Sequence, residues 1–381
     1  MQPTRETEVV QDTTVEKVTG KKGVKEFIRF PWTVYRDDPL WVPPLIKEQT
    51  VMFSPAYPFF EHGEIDLFIA RQGDRPVGRI ASILDRSYVE FSREKAAFFG
   101  FFESIKETQV ARLLIDRVRA WGRDRGMTVI RGPFNPSTND ECGLLIKGFD
   151  MPPMLMMPYN PPYYPELMEA CGLKKCKDLY ACIIASDAPP EKIERVSGRI
   201  RKRLPGLTIR PVRLSRLGEE LEIVRDIYND AWRENWGFVP ITESEMRFMA
   251  SRLKPLVIPD LFLFAEIKGE PVAFIGSFPD YNRVLRRLNG KIGLTGILKF
   301  LYYSRKIKDL RTMLLGVKHG YQKRGLETLL YLETFRRGLR RGFKRSELSW
   351  ILEDNRLMLR GVERLGGTVY KTYRLYEGTT S

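Results

Sequence analysis

Two stretches hold residues whose types and spacing suit chemistry. In GVKHGYQKRGLETLL, residues 316–330, an apolar run ends, Gln322, Lys323 and Arg324 lead into Gly325, and Leu326 and Glu327 open a helical pattern. A strand-to-helix turn points the free N–H groups of the first helical turn into solvent with the helix dipole behind them, which makes an anion site. Gly325 lets a bulky anion come close to the backbone. The turn has neither the Walker A lysine pattern nor a dinucleotide-type GxGxxG. The second stretch, FNPSTNDECGLLIKGFD at 134–150, is dense in small polar residues beside a strand end, so Asn135, Ser137, Asn139 and Asp140 are candidate substrate-binding residues. Asx and Ser turns explain the same residues without a ligand. MPPMLMMPYNPPYYPE, at 151–166, adds Met and Tyr that suit either packing core or an acyl-chain pocket.

Elements that could position these stretches emerge from an internal repeat. DLFIARQGDRPVGRIASILD (66–85) and DLFLFAEIKGEPVAFIGSFPD (260–280) both read as hairpins, and Pro76, Val77, Ile80, Ser82 and Asp85 recur at one constant spacing as Pro271, Val272, Ile275, Ser277 and Asp280. Further on, YNPPYYPELMEACGLKKCKDLY (159–180) parallels DNRLMLRGVERLGGTVYKTYRLY (354–376), with Asn160 matching Asn355. A duplicated α/β domain follows. The copies differ by insertions, before Asn160 in the first and after the hairpin in the second. Pro189 and Pro190 put the linker near 185–192. The expected organisation is a disordered tail over 1–20, a first domain over 21–185 that begins with a proline-broken lead-in, and a second over 192–381. Thr242 and Glu245 have capping-box spacing ahead of a helix.

Composition bounds the class. A chain of 381 residues that is 43% hydrophobic and 12% aromatic has apolar surface for two folded cores. No run approaches the roughly 20 apolar residues of a membrane span, and the first residues lack a signal peptide's apolar core, so a cytoplasmic location is expected. Cys142, Cys171, Cys176 and Cys182 form no CxxC pair and have only His62 and His319 as metal-binding partners, so reduced thiols and no metal are expected. The formal charge of +15 favours an anionic partner without choosing among nucleic acid, a membrane surface and a phosphorylated cofactor.

The order hairpin, strand, anion turn, helix, strand and Asn-initiated helix resembles the GNAT superfamily of acyl-CoA-dependent N-acyltransferases. Its cofactor motif V-x-x-x-Y-[QR]-x-x-G-x-[GA] is matched by Val317, Tyr321, Gln322 and Gly325, with Glu327 in place of the last small residue. Asn355, Met358, Val362, Gly366 and Gly367 follow the family's next helix, with Val362 where a tyrosine usually stands. The resemblance implies two GNAT-like domains, each a mixed, mostly antiparallel sheet with flanking helices. It implies acyl-CoA as co-substrate, its pyrophosphate held by Gln322, Lys323, Arg324, Gly325, Leu326 and Glu327. The Val317 backbone N–H would hold the oxyanion, and Val317 and Asn355 would contact the pantetheine arm. The first copy, without a glycine turn, is a degenerate relative of the second.

Amide formation from a thioester needs a neutral amine, an oxyanion site and a proton for the leaving thiolate. With Val362 at the usual acid position, Tyr373 is the substitute acid, and Glu266 and Glu270 are candidate bases that also suit solvated turn positions. His319 reads as a turn residue. The inserted LRRLNGKIGLTGILKFLYYSRKIK has Leu294, Ile297, Leu298, Leu301 and Tyr302 at helical spacing between cations, so residues 286–308 suit either a cover on the protein's own core or contact with an anionic membrane surface. The expected reaction is acyl transfer to a small-molecule or lipid amine, such as the long-chain bases that GNAT-like enzymes of ceramide synthesis acylate. Two alternatives are an aminoacyl-tRNA-dependent transferase and a non-catalytic acyl-CoA binder.

Overall fold

The structure, a computed structural model, describes residues 13–381. The first copy contains β1 (Thr13–Lys17), α1 (Gly20–Arg29), α2 (Pro31–Val34), α3 (Ile46–Met52), β2 (Gly63–Gln72), β3 (Arg75–Asp85), α4 (Arg86–Ser92), β4 (Ala96–Ser104), α5 (Thr108–Arg123), β5 (Val129–Gly132), β6 (Phe134–Asn135), β7 (Glu141–Cys142), β8 (Leu144–Lys147), α6 (Tyr164–Ala170) and β9 (Lys174–Ala185). The second contains α7 (Glu191–Arg203), β10 (Leu207–Pro211), α8 (Leu217–Trp232), α9 (Glu243–Leu253), β11 (Phe262–Ile267), β12 (Glu270–Pro279), α10 (Asn282–Leu288), α11 (Leu294–Ser304), β13 (Asp309–Val317), α12 (Leu326–Arg340), β14 (Arg345–Leu352), α13 (Arg356–Arg364) and β15 (Thr368–Thr379).

The repeat is visible as two runs of hairpin, strand, helix, strand, helix and strand. Hairpin β11–β12 turns through Lys268 and Gly269, both at positive φ, the conformation that matches strand twist in a two-residue turn. Thr242 and Glu245 form the expected reciprocal cap on α9. The expected tail over 1–20 is corrected from residue 13 onward: β1 adds to the sheet edge on β2, with Val15 opposite Ala70, and α1 begins at Gly20. Alternating Val15 and polar neighbours give an edge strand one apolar face, which local composition did not disclose. The rest of the expected tail lies outside the described residues.

All but two of the strands form one sheet, in the order β1-β2-β3-β4-β5-β15-β9-β14-β13-β12-β11-β10, with β8 on β15. The pairs β4–β5 and β13–β14 are parallel and the other pairs antiparallel. At the centre the two copies exchange their last strands. β15, from the second copy, lies against β5 of the first, and β9, from the first, lies against β14 of the second. The linker at 186–190 therefore separates the copies in sequence, while each copy's sheet is completed by the other's strand. Among the described residues no helix is long and apolar enough to cross a membrane.

Candidate active site

The parallel pair β13–β14 holds only over Asp309–Thr312 and Arg345–Leu348. Beyond it β13 carries a bulge: Ser277 faces Thr312 and Gly276 faces Leu314, leaving Met313 over. An extra residue bends its strand and raises its twist. The two strands part, and the gap is a cleft of about 240 Å³ walled by Met313, Leu314 and Leu315 on one side and Ser349 to Leu352 on the other, with Asn355 and Met358 beyond. The Lys318 N–H donates to Val272 O, toward β12. Backbone groups alternate along a strand, so the N–H groups of Val317 and Leu315 face the opposite, open side. Val317 itself does not line the cleft; Leu315 does, and the glycine motif gave no sign of it.

At the anion turn Lys323 and Gly325 both have positive φ, 60° and 86°. Gly325 immediately precedes α12, whose first-turn amides lack helical acceptors, and a Cβ there would stand 2.6 Å from Ile200 Cδ1 on α7. Both conformation and contact demand glycine. The Lys323 and Arg324 side chains are exposed. Gln322 is used differently from the expectation, its Nε2 donating to Val317 O at 3.2 Å to close the end of β13. Leu326 is buried under the turn. Glu327 is half-buried; burial raises its carboxyl pKa, and a hydrogen bond from its own N–H lowers it in part. His319 donates its N–H to Asp230 Oδ2 at 2.6 Å and its Nδ1 lies 2.8 Å from Asp230 O, which makes it a turn residue. Asn355 caps α13, accepting from the Met358 N–H at 3.1 Å, and lines the cleft.

The equivalent gap in the first copy is filled. β4 and β5 pair over Ala96–Phe98 and then separate, but Asn135 Oδ1 accepts from the Phe101 N–H at 2.7 Å. A Cβ on Gly100 would meet Phe134 O at 1.7 Å. The chain's own backbone occupies what is open cleft in the second copy.

Next to the cleft lies an apolar cavity of about 470 Å³ between the copies. Its wall combines the proline-broken lead-in, the methionine loop around Met156, α9, α10 and α11, with Glu48, Arg79, Glu103, Asp140, Glu141 and Arg252 as charged members. The polar loop 135–140 borders both spaces. Ser137 is buried and donates to Asp140 Oδ2 at 2.9 Å, and Tyr57 OH donates to the same oxygen at 3.0 Å. Asn139 accepts from Tyr228 OH at 2.6 Å. Ser137 therefore shapes the loop, Asn135 lines the cavity and Asn139 the cleft, whereas Asp140 faces both, a distinction it shares only with Met156 and Met249 among their walls. Burial pushes its carboxyl up to about 6. Glu141, beside it on the cavity wall, is also raised by burial.

The other acid and base candidates fall elsewhere. Tyr373 is fully buried in the core and lines neither space, so proton donation to the cleft does not fit its position. Val362 packs in the core under α13. Glu266 accepts from Arg210 Nε at 2.6 Å and Glu270 from Tyr321 OH at 3.3 Å; both sit at the hairpin turn, off both spaces.

Sequence reading passed over Arg311 and Glu347, although each is a charge next to the apolar run of its strand, a signal that could have found them. Arg311 is buried and donates to Ser349 Oγ at 2.9 Å and to the carbonyls of Leu155 and Met156 at 2.5 and 3.0 Å. Glu347, fully buried, accepts from Ser349 Oγ at 2.6 Å and from Tyr370 OH. The pair fixes the methionine loop to the floor of the cleft. Arg311→Leu leaves Glu347 buried with its cationic partner gone, at a cost of about 3–5 kcal/mol; a large fall in thermal midpoint by calorimetry is the expected result, and an unchanged midpoint would show the network to be dispensable.

No family profile matches the chain. A tandem GNAT protein from the clavulanic acid biosynthesis pathway shares its fold over 97% of this chain and 99% of that one, at TM-score 0.57 and 13% identity. A GCN5-related N-acetyltransferase from Sphaerobacter thermophilus does so over 97% and 96%, at TM-score 0.53 and 15% identity. The fold is that of a tandem GNAT acyltransferase. In sequence, the chain is 36% identical over 375 residues to the bacterial ceramide synthase of Caulobacter vibrioides, covering 96% of this chain and 97% of that protein. It is likewise 36% identical over 371 residues to protein YghO of Escherichia coli, covering 95% and 94%. The chain belongs to the family that these two proteins represent, and it is an acyltransferase.

Among the described residues no group of three or more His, Cys, Asp or Glu side chains is arranged to hold a metal ion.

Proposed function

We propose that this protein transfers an acyl group from acyl-CoA to the amine of a long-chain lipid base, taken from a membrane rather than from free solution. The observation that carries this reading is the meeting of two differently built spaces at Asp140. The cleft beside β13 has the shape and open backbone edge for a pantetheine arm, and the amides before and within the first turn of α12 suit its pyrophosphate. The apolar cavity suits one alkyl chain, and Asp140 and Glu141 on its wall suit an ammonium head. Polar groups converging on an otherwise apolar pocket are the usual form of a small-molecule site. The ceramide synthase name of one relative agrees with a lipid acceptor.

In this reading Asp140 takes one proton from the ammonium, and the freed amine attacks the thioester carbonyl carbon. The N–H groups of Val317 and Leu315 stabilise the oxyanion. The C–S bond then breaks as the adduct loses its second nitrogen proton, and the thiolate is protonated on leaving. The products are the amide, the free thiol and one proton. The test is a Leu285→Trp substitution, which narrows the cavity from α10, combined with mass spectrometry of the product. The expected result is at least a tenfold higher KM for a long-chain amine and an unchanged KM for acyl-CoA. A change confined to acyl-chain preference would assign the cavity to the acyl chain instead.

A further inference from the structure

Among the described residues, exposed apolar side chains are concentrated on the surface beside the cavity. Of nine large apolar side chains left exposed among the described residues, six (Ile292, Leu294, Ile297, Leu298, Leu301 and Tyr302) belong to α11 and the turn before it. Gly296 is the one buried residue of that helix. Around it Arg286, Arg287, Lys291, Lys299, Arg305, Lys306 and Lys308 are all exposed, none in an ion pair, and no acidic residue interrupts 281–308. Unpaired surface cations occur elsewhere too, as at Arg195, Arg199 and Arg203 on α7; what sets this surface apart is that its cations surround exposed apolar side chains.

The helix has two edges with different tasks. Ile292, Ile297 and Leu301 line the apolar cavity and are yet about half exposed, so they stand where the cavity meets the outside. Leu294, 86% exposed, and Leu298, 69% exposed, line no part of it. We propose that α11 docks on the surface of an anionic bilayer and that the cavity receives its long-chain amine directly from that bilayer, past Ile292, Ile297 and Leu301. The inference rests on the cavity's being the acceptor site. At 11 residues the helix is far below the roughly 20 of a span, so it lies in the interface, with Leu294 and Leu298 in the acyl boundary and unpaired cations among the headgroups. Charge complementarity selects this occupant over a second copy of the chain, whose α11 would bring the same seven cations against these.

The experiment sediments the full-length protein with vesicles of phosphatidylglycerol and phosphatidylcholine, or of phosphatidylcholine alone. The expected result is binding to the anionic vesicles, at least tenfold weaker in high salt and weaker still on the neutral ones. Leu294→Ser/Leu298→Ser loses that binding. Turnover is then measured with the amine presented in detergent micelles and in anionic vesicles. The variant is expected to match the parent in micelles and to fall at least tenfold on vesicles. A parent that turns over in micelles but binds no vesicle overturns the docking and leaves the acyl transfer standing; a parent without turnover in either overturns the transfer, whatever it binds. A dimer that the double variant converts to monomers, without vesicle binding, assigns the face to a second copy and overturns the proposal.

Discussion

Gly325→Asp abolishes the rise in melting temperature that coenzyme A or a long-chain acyl-CoA produces in the parent protein, corresponding to at least a hundredfold loss of affinity. Three effects act in the same direction. The backbone at this position has φ 86°, where a β-carbon is strained. The new side chain would also press on Ile200. A carboxylate at the mouth of the first helical turn, finally, occupies the dipole end and repels the pyrophosphate. Gly325→Ala has the first two effects without the charge and should retain part of the shift. Glu327→Gln should strengthen binding, because it removes a negative charge from the first turn of α12, where the pyrophosphate would sit. A full shift retained in Gly325→Asp would move the pyrophosphate away from this turn. The ligand-free melting temperatures of all three variants separate lost binding from lost folding.

Asp140→Asn lowers kcat by about 10²–10⁴-fold, the range for removal of a general base. The parent's rate should rise with pH through about 6, where the Asp140 carboxyl gives up its proton, and level off above. The asparagine variant loses that limb. The direction of the pKa shift supplies a control. A carboxyl held above its ordinary range in the folded protein destabilises the fold once it is charged, at every pH above its folded pKa. At pH 8 the neutral variant should therefore melt no lower than the parent, which tells lost chemistry from lost structure. An unchanged pH limb, or an unchanged kcat, would remove Asp140 from the reaction; Glu141→Gln would then be the variant to measure.

Much of the second copy was legible because its signals are local. A glycine after two cations at a strand-to-helix joint, a hairpin turn at Lys268–Gly269 and a Thr242–Glu245 cap each depend on a few adjacent residues, and each is seen in the fold. The site was less legible because it is assembled from distant segments. Asp140 was one of four similar polar residues in sequence; only the packing of Tyr57, Ser137 and Met249 around it sets it apart from Ser137, which shapes the loop, and from Asn135 and Asn139, which each line one space. Tyr373 alternates with polar neighbours as a half-exposed strand residue would, yet the exchange of strands covers both its faces. Segment 286–308 offered two readings, and the helix within it supports both: one edge walls the cavity and the other is bare. The exchange itself had no local signature, since β9 and β15 derive from the same ancestral strand and carry compatible patterns for either gap.

That exchange bears on how the degenerate copy has persisted. The gap of the first copy is filled by its own backbone, yet its β9 pairs Leu348 and Ile351 of β14, beside one wall of the open cleft. In return β15 pairs residues 129–132 on the other side. Losing the copy with the filled gap would strip a supporting strand from the copy with the open one, so drift can fill its gap but not remove its sheet. The protein is thus two sequence repeats but one inheritable unit. Fission of its gene at the linker would yield two fragments that each lack the strand the other carries.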